Sequence, residues 1–241
     1  VAVAPVAAAG ETAEGDASPW RVFWREAPLV LPAKTRAALP PLERSVAELQ
    51  AVEDKAPDVH IELGSAWARG RDYAAAEASF RRALALDQGA APAWVGLGRL
   101  YADRGDAERA ISALERAIAL DGQLAEPHYL LGNIRLRQQR LEAAVPHYDR
   151  AISLQPDYLQ AYFNLGGLHA RQTDYGPAVD VLRSGLRALP GEVELMFQLA
   201  RVYYAQARHA EALDRLAAVI AAEPGRAEAH ELVAQIHLAG E

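Results

Sequence analysis

The residues of this chain whose types could do chemistry are seven histidines and several close pairs of carboxylates. His60, His128 and His230 share one position of a recurring unit, which spreads them along the chain in different units. His230 and His237 share a helix face but lie two turns apart, about 10 Å at 1.5 Å per residue, too far for one metal. His169 and His237 read as packed side chains. The carboxylate pairs, such as Glu48 with Glu53-Asp54 or Glu108 with Glu115, stand beside arginines on polar helix faces, as solvated charge does. The chain has no cysteine, which removes disulfides, thiolate metal sites and cysteine nucleophiles. No phosphate loop, dinucleotide fingerprint, zinc-protease helix or nucleophile elbow is present. The reading is therefore not an enzyme, with no catalytic residue, no metal and no cofactor assigned.

Composition narrows the partners. With 51% hydrophobic and 24% charged residues the chain is globular rather than disordered. A net charge of −7 argues against a duplex nucleic-acid partner, which selects for a dense basic face. No apolar stretch reaches the roughly 18 residues of a membrane-spanning helix.

The elements that carry these side chains recur at a fixed interval. Gly64, Gly98, Gly132 and Gly166 are evenly spaced with a period of 34, and Ala200 and Ala234 continue the series. Ala76, Ala110, Ala144, Ala178 and Ala212 repeat at the same period, as do the bulky Phe80, Leu114, Tyr148, Leu182 and Leu216. Within each unit the apolar residues follow helical spacing in two bursts, "PAWVGLGRLYADRG" and "DAERAISALERAIALD", divided by a turn at Gly105-Asp106. Small residues let helices approach closely, and bulky ones fill the space between them. Pro146 falls inside the second helix of the third unit, past its first turn. It predicts a bent or loosened helix there.

These residues resemble the tetratricopeptide repeat family. The resemblance implies an all-α, right-handed superhelical solenoid of helix-turn-helix repeats with a concave groove. Five units are read at 57–90, 91–124, 125–158, 159–192 and 193–226, followed by a capping helix within 227–241. Before them come a half-repeat helix at 40–56 and a largely irregular arm at 1–39.

The family's ligand-facing positions are the second, fifth, ninth, twelfth and thirteenth of each unit. They map to Tyr129, Phe163 and Phe197 at the fifth position and to Tyr204 at a twelfth. The ninth and thirteenth give Asn133, Arg99, Arg137, Arg171 and Arg201, with Asn164 one turn from Gly167. Asparagine bonds both main-chain groups, arginine holds carboxylates in a fork and aromatic rings supply apolar contact. The expected ligand is thus an extended protein or peptide segment, partly apolar and carrying acidic groups. Asn133 and Asn164 also match the asparagines of a two-carboxylate clamp that some family members use. Tyr129, Glu194 and Gln198 replace its basic residues.

The stretch "SPWRVFWREAPLVLP", Ser18 to Pro32, holds Trp20, Phe23, Trp24, Leu29 and Leu31, yet Pro19, Pro28 and Pro32 bar a long helix. Three roles are open: a cap on the solenoid, an arm that docks on a partner, or a foot at a membrane interface. The chain begins at Val1, and its small, Ala-rich opening suits a mature exported protein, periplasmic for example, with a cytoplasmic one as the alternative. The sequence reads as a non-enzymatic protein-binding scaffold, an assembly or accessory factor. The alternative is a structural subunit of a hetero-complex, at a membrane's periphery or elsewhere, docked through its arm and convex face.

Overall fold

The computed structural model describes residues 56–239. The arm and half-repeat helix expected before Pro57 fall outside that range, save Ala56. Trp20, Phe23, Trp24, Leu29 and Leu31 lie outside it as well.

Eleven α-helices fill the described residues, with no strand among them. They alternate as α1 (Pro57–Arg69), α2 (Tyr73–Leu86), α3 (Ala91–Asp103), α4 (Ala107–Leu120), α5 (Ala125–Arg137) and α6 (Leu141–Leu154). Then come α7 (Leu159–Arg171), α8 (Tyr175–Ala188), α9 (Val193–Ala205), α10 (His209–Ala222) and α11 (Ala227–Ala239). The odd-numbered helices start at one constant interval, and the sequence period is therefore the structural one. Each even helix packs between the odd helices before and after it, and the result is an all-α solenoid.

Steric fit sets the spacing. A Cβ added at Gly64 would stand 2.8 Å from the Phe80 ring, at Gly98 2.6 Å from Leu114, and at Gly132 2.7 Å from Tyr148. Phe80 is larger than the leucine used elsewhere, and its tip reaches into the next repeat. Gly96 meets it there, where a Cβ would lie only 2.3 Å away. After Leu114 and Leu216 the residue at the place of Gly96 is a leucine, Leu130 or Leu232. After Tyr148 it is Asn164, and a polar residue suits a ring that ends in a hydroxyl.

The turn inside each unit is just as regular. Arg71, Gly105, Gln139, Thr173 and Ala207 all adopt φ between 56° and 79°, at the same place in each successive repeat. Only Gly105 takes this left-handed conformation without steric cost. At two of these turns the next residue caps the following helix. Asp72 accepts the Ala75 N–H at 3.0 Å and Asp106 the Arg109 N–H at 3.2 Å, whereas Arg140 and Arg208 have no acceptor to offer.

Pro146 does not interrupt its helix. The helix expected to bend or loosen around it runs continuously from Leu141 to Leu154. Glu142, whose carbonyl the missing N–H would have bonded, is exposed like Pro146 itself, so water serves that group. Repeat three departs elsewhere. α1 packs directly on α3, α3 on α5, α7 on α9 and α9 on α11, but α5 and α7 stand farther apart. The large apolar cores follow this division, one around Phe80, Leu100 and Leu114 and one around Leu182, Leu199 and Leu216. A smaller cluster of Leu136, Tyr148, Leu165 and Leu168 lies between them.

The strained turns and repeat three can each be tested. Thr173 is β-branched at φ 64°, so Thr173→Gly should stabilise the protein by about 1 kcal/mol in urea unfolding. An unchanged or lower midpoint would show that the turn carries no strain. His128 and His147 lie 6.3 Å apart. Burial pushes both below the usual histidine range, with His147 and Arg150 adding to the effect at His128 and Arg135 at His147. A pair kept neutral in the fold but free to charge when unfolded costs stability as pH falls below about 6.5. The loss between pH 7.5 and 5.5 should shrink in the His128→Gln/His147→Gln variant, measured by the same unfolding experiment.

Candidate functional site

The odd helices build the concave face, and its two halves differ. Across α1, α3 and α5 the face opens into a depression of about 800 Å³. Ile61, Ser65, Ala68, Val95 and Gly96 form its floor and walls, with Arg69 and Arg99 at the rim beside Asp103 and Glu126. The space exists because ninth, twelfth and sixth positions here hold Ser65, Ala68 and Gly96. Further along, Asn133, Arg201, Tyr204, Asn164 and Gln198 stand at equivalent places, although Gly167 and Ala170 of repeat four are small as well. Ser65 turns its hydroxyl inward, donating to the Ile61 carbonyl at 2.9 Å.

In the other half the side chains spend their chemistry on each other. Asn164 is 1% exposed, and its amide donates to Asn133 Oδ1 at 2.8 Å. The Tyr148 hydroxyl donates to the same oxygen, also at 2.8 Å. The Asn164 amide lies 3.4 Å from the Tyr129 hydroxyl, a weak contact at best. These bonds tie α5 to α7 where the helices stand apart. The two asparagines thus form a joint inside the protein instead of two free clamps for a ligand. Burial pushes the Tyr148 phenol far above its ordinary range, so it remains a donor.

The aromatic strip is covered from the last position of its own units. Tyr158 lies 5.0 Å from the Tyr129 ring, and the Arg226 guanidinium 4.3 Å above Phe197. Phe197 is consequently buried, at 8% exposure, whereas Phe163 is half-buried. Arg226 is also held by Glu194 at 2.9 Å and by Glu223 at 3.3 Å. Burial, and then the charge of Arg226, push the Arg201 guanidinium down to about 9, which leaves it protonated at neutral pH. Gln198 donates to the Phe163 carbonyl at 3.0 Å. Tyr204 stacks on His209 at 5.6 Å.

The arginines divide in the same way. Arg99 pairs with Glu126 of the next repeat, and Arg137 donates to the Ala102 carbonyl at 2.8 Å. Arg69 and Arg171 have no carboxylate within ion-pair distance among the described residues. Sequence reasoning missed Ser65, Ala68 and Gly96, because small residues announce packing rather than space. It also missed Tyr158 and Arg226, whose signal was their bulk at a position filled elsewhere by Ala90 or Leu124. Among the described residues no three histidine or acidic side chains gather as metal ligands. No helix there is long and apolar enough to cross a membrane.

A family model described as tetratricopeptide repeat matches residues 36–91 and 129–193, and a second of the same description matches 66–134 and 169–236. The chain belongs to the tetratricopeptide repeat family. Its solenoid is similar to the crystal structure of MamA, at 23% identity and a TM-score of 0.58, covering 71% of this chain and 94% of that one. It is similar to YrrB, described as a repeat protein of the same family with an unusual peptide-binding site. There identity is 20% and the TM-score 0.57, over 80% of this chain and 97% of that one. It is similar too to PilF of Pseudomonas aeruginosa, at 21% identity and a TM-score of 0.65, over 73% and 80%. At these identities the likeness is one of fold. No curated protein matches the sequence.

Tetratricopeptide repeats put ligand-facing side chains on the first helix of each pair. Here the bulkiest of them are partly consumed by the solenoid itself. Phe197→Ala should therefore cost about 3 kcal/mol in urea unfolding, well beyond the cost of Phe163→Ala. Equal costs would return Phe197 to the open groove.

Proposed function

We propose that the protein is a non-enzymatic protein–protein interaction scaffold that holds an extended partner segment along its concave face, as an assembly or accessory factor. Tetratricopeptide repeat proteins in general mediate contacts between proteins. The observation that carries the reading for this chain is the depression across α1, α3 and α5, a concave site open to a side chain and rimmed by charge. An apolar side chain of the partner rests against Ile61 and Val95. Its carboxylates face Arg69 at this end and Arg171 farther along, guanidiniums whose charge is not already matched by a described carboxylate. Arg99 and Arg137, tied to Glu126 and Ala102, shape the channel between them. The peptide-binding site for which YrrB is described lends the reading support by kinship of fold.

A phage-displayed library of short random peptides, selected against the full chain, tests it. Enriched peptides should carry a large apolar residue close to an acidic one. Ser65→Trp, which fills the depression, should weaken them by at least about tenfold while thermal unfolding stays near that of the parent. Failure to enrich any sequence, or peptides indifferent to Ser65→Trp, would sink the groove.

A further inference from the structure

Repeats one and two hold a sealed polar arrangement of which repeats four and five keep the tyrosine and one arginine. Between α2 and α3 the Glu77 carboxylate gathers four donors. It accepts from the Tyr101 hydroxyl at 2.9 Å and meets Arg81 at 2.8 Å, Arg109 at 3.0 Å and Arg104 at 3.2 Å. Arg109 also covers the Tyr101 ring, 3.9 Å from its centroid.

Moving three full periods along the chain carries Arg81 to Arg183 and Tyr101 to Tyr203. Glu77 is carried to Val179, Arg104 to Gln206 and Arg109 to Glu211, which Arg208 holds, and the other units are likewise apolar at the place of Glu77, with Ile111, Val145 and Leu213. An arginine again covers the ring, Arg208 at 4.4 Å, with Arg183 at 6.0 Å. Tyr203 is 2% exposed, and its hydroxyl makes no hydrogen bond among the described residues. Arg183 has no carboxylate within ion-pair distance there. In place of the sealed joint of repeats one and two there is a cavity of about 430 Å³, lined by Tyr203, Arg183, Arg187, Arg215, Leu186 and Leu199.

Two of those residues are not explained by repeat packing. The other units hold Ala85, Ala119, Ser153 and Ala221 at the place of Arg187, and Ser79, Ala113, His147 and Val181 at the place of Arg215. Arg187 reaches only the Ser184 hydroxyl, at 2.8 Å, and Arg215 only its neighbour Asp214, at 2.5 Å. A chain of net charge −7 thus concentrates arginine around a cavity with an apolar floor and an unused phenol.

We propose that this cavity is a second docking site, taking an acidic side chain of a protein partner beside Tyr203 and Arg183. The incoming carboxylate accepts from the Tyr203 hydroxyl and from Arg183, while Arg187 and Arg215 draw in flanking acidic groups. Leu186 and Leu199 receive the neighbouring apolar side chain. A protein segment fits better than an anionic membrane or a nucleic-acid backbone. Glu211 and Asp214 stand in the wall and repel a uniformly negative surface, yet they accept from the main-chain N–H groups or a lysine of a peptide. The site lies on the even helices α8 and α10 and on the side of α9 facing them. It is independent of the concave groove.

The probe is a fluorescent peptide of alternating Glu and Leu, titrated against the full chain by anisotropy, with a Lys–Leu peptide as control. Saturable binding that weakens with salt is expected for the Glu–Leu peptide alone. Tyr203→Phe, which removes one unbonded oxygen and leaves the packing, should weaken it about tenfold. Arg183→Gln should do the same, and Ser65→Trp should leave it unchanged. The proposal is overturned if the Glu–Leu peptide fails to saturate, if the Lys–Leu peptide binds as well, or if Tyr203→Phe and Arg183→Gln bind like the parent. It is overturned equally if the Tyr203-dependent ligand is a phosphatidylserine vesicle and not the peptide. Loss of binding in Ser65→Trp alone would move the peptide to the groove.

Discussion

In the first four repeats a ring or branched side chain from the second helix enters a notch in the first, and the notch exists because a Cβ is missing. At Gly132 an added Cβ would stand 2.7 Å from Tyr148, and at Gly166 2.7 Å from Leu182. Contact at that distance fixes how near the two helices of a unit lie. It thereby fixes the angle at which the next unit is presented. Because the size of the entering group varies, so does the junction that follows it. Phe80 demands Gly96, and Gly96 is one of the residues that leave the concave face hollow there. The depression across α1, α3 and α5 is therefore a by-product of packing inside repeat one. A binding site and a core contact share the same glycine.

The junction between repeats three and four answers a different entering group. Tyr148 brings a hydroxyl that must be bonded once buried. Asn133 accepts it and Asn164 completes the set, both at 2.8 Å. With tyrosines at 129, 148 and 158 crowding this place, α5 and α7 separate, and polar bonds take over a contact that is apolar between other repeats. Solenoid stability is a sum of repeats and of the interfaces between neighbours. An interface built from directional hydrogen bonds divides the chain into two apolar blocks without cutting it.

The fold was open to reading because period and packing are the same fact. A helix pair of fixed length leaves its glycine, its alanines and its bulky residue at fixed intervals. The starts of α1, α3, α5, α7, α9 and α11 follow from counting by 34. The functional face was harder. Asn164 and Phe163 occupy adjacent positions in one helix, yet one is 1% exposed and the other half-buried, and only their neighbours decide which. Arg226 is remote in sequence from the Phe197 ring it covers, and Tyr158 is equally remote from Tyr129. A side chain's place in the repeat tells which way it points. What already stands in front of it is a matter of the tertiary structure. Pro146 carries the same lesson in reverse, since the helix runs on past it where the carbonyl it leaves unbonded belongs to an exposed residue.

Repetition also supplies a reference that a single domain lacks. Position by position, the other units show what the solenoid requires, so a residue that departs from them is doing something the solenoid does not ask for. Gly105 departs in favour of stability, sparing the strain that Thr173 and Ala207 bear at the same turn. Arg187 and Arg215 depart against it, placing cations where the other units hold alanine, serine, histidine or valine. Glu77 departs most of all, since the same place holds Ile111, Val145, Val179 and Leu213 in the other units. It bonds Tyr101 and pairs with Arg81, whereas at the later junction the nearby Glu211 is held by Arg208 and the Tyr203 phenol has no hydrogen-bond partner among the described residues. An arrangement satisfied in one pair of repeats and left open in another is what a solenoid must keep if a partner, and not its own chain, is to complete it.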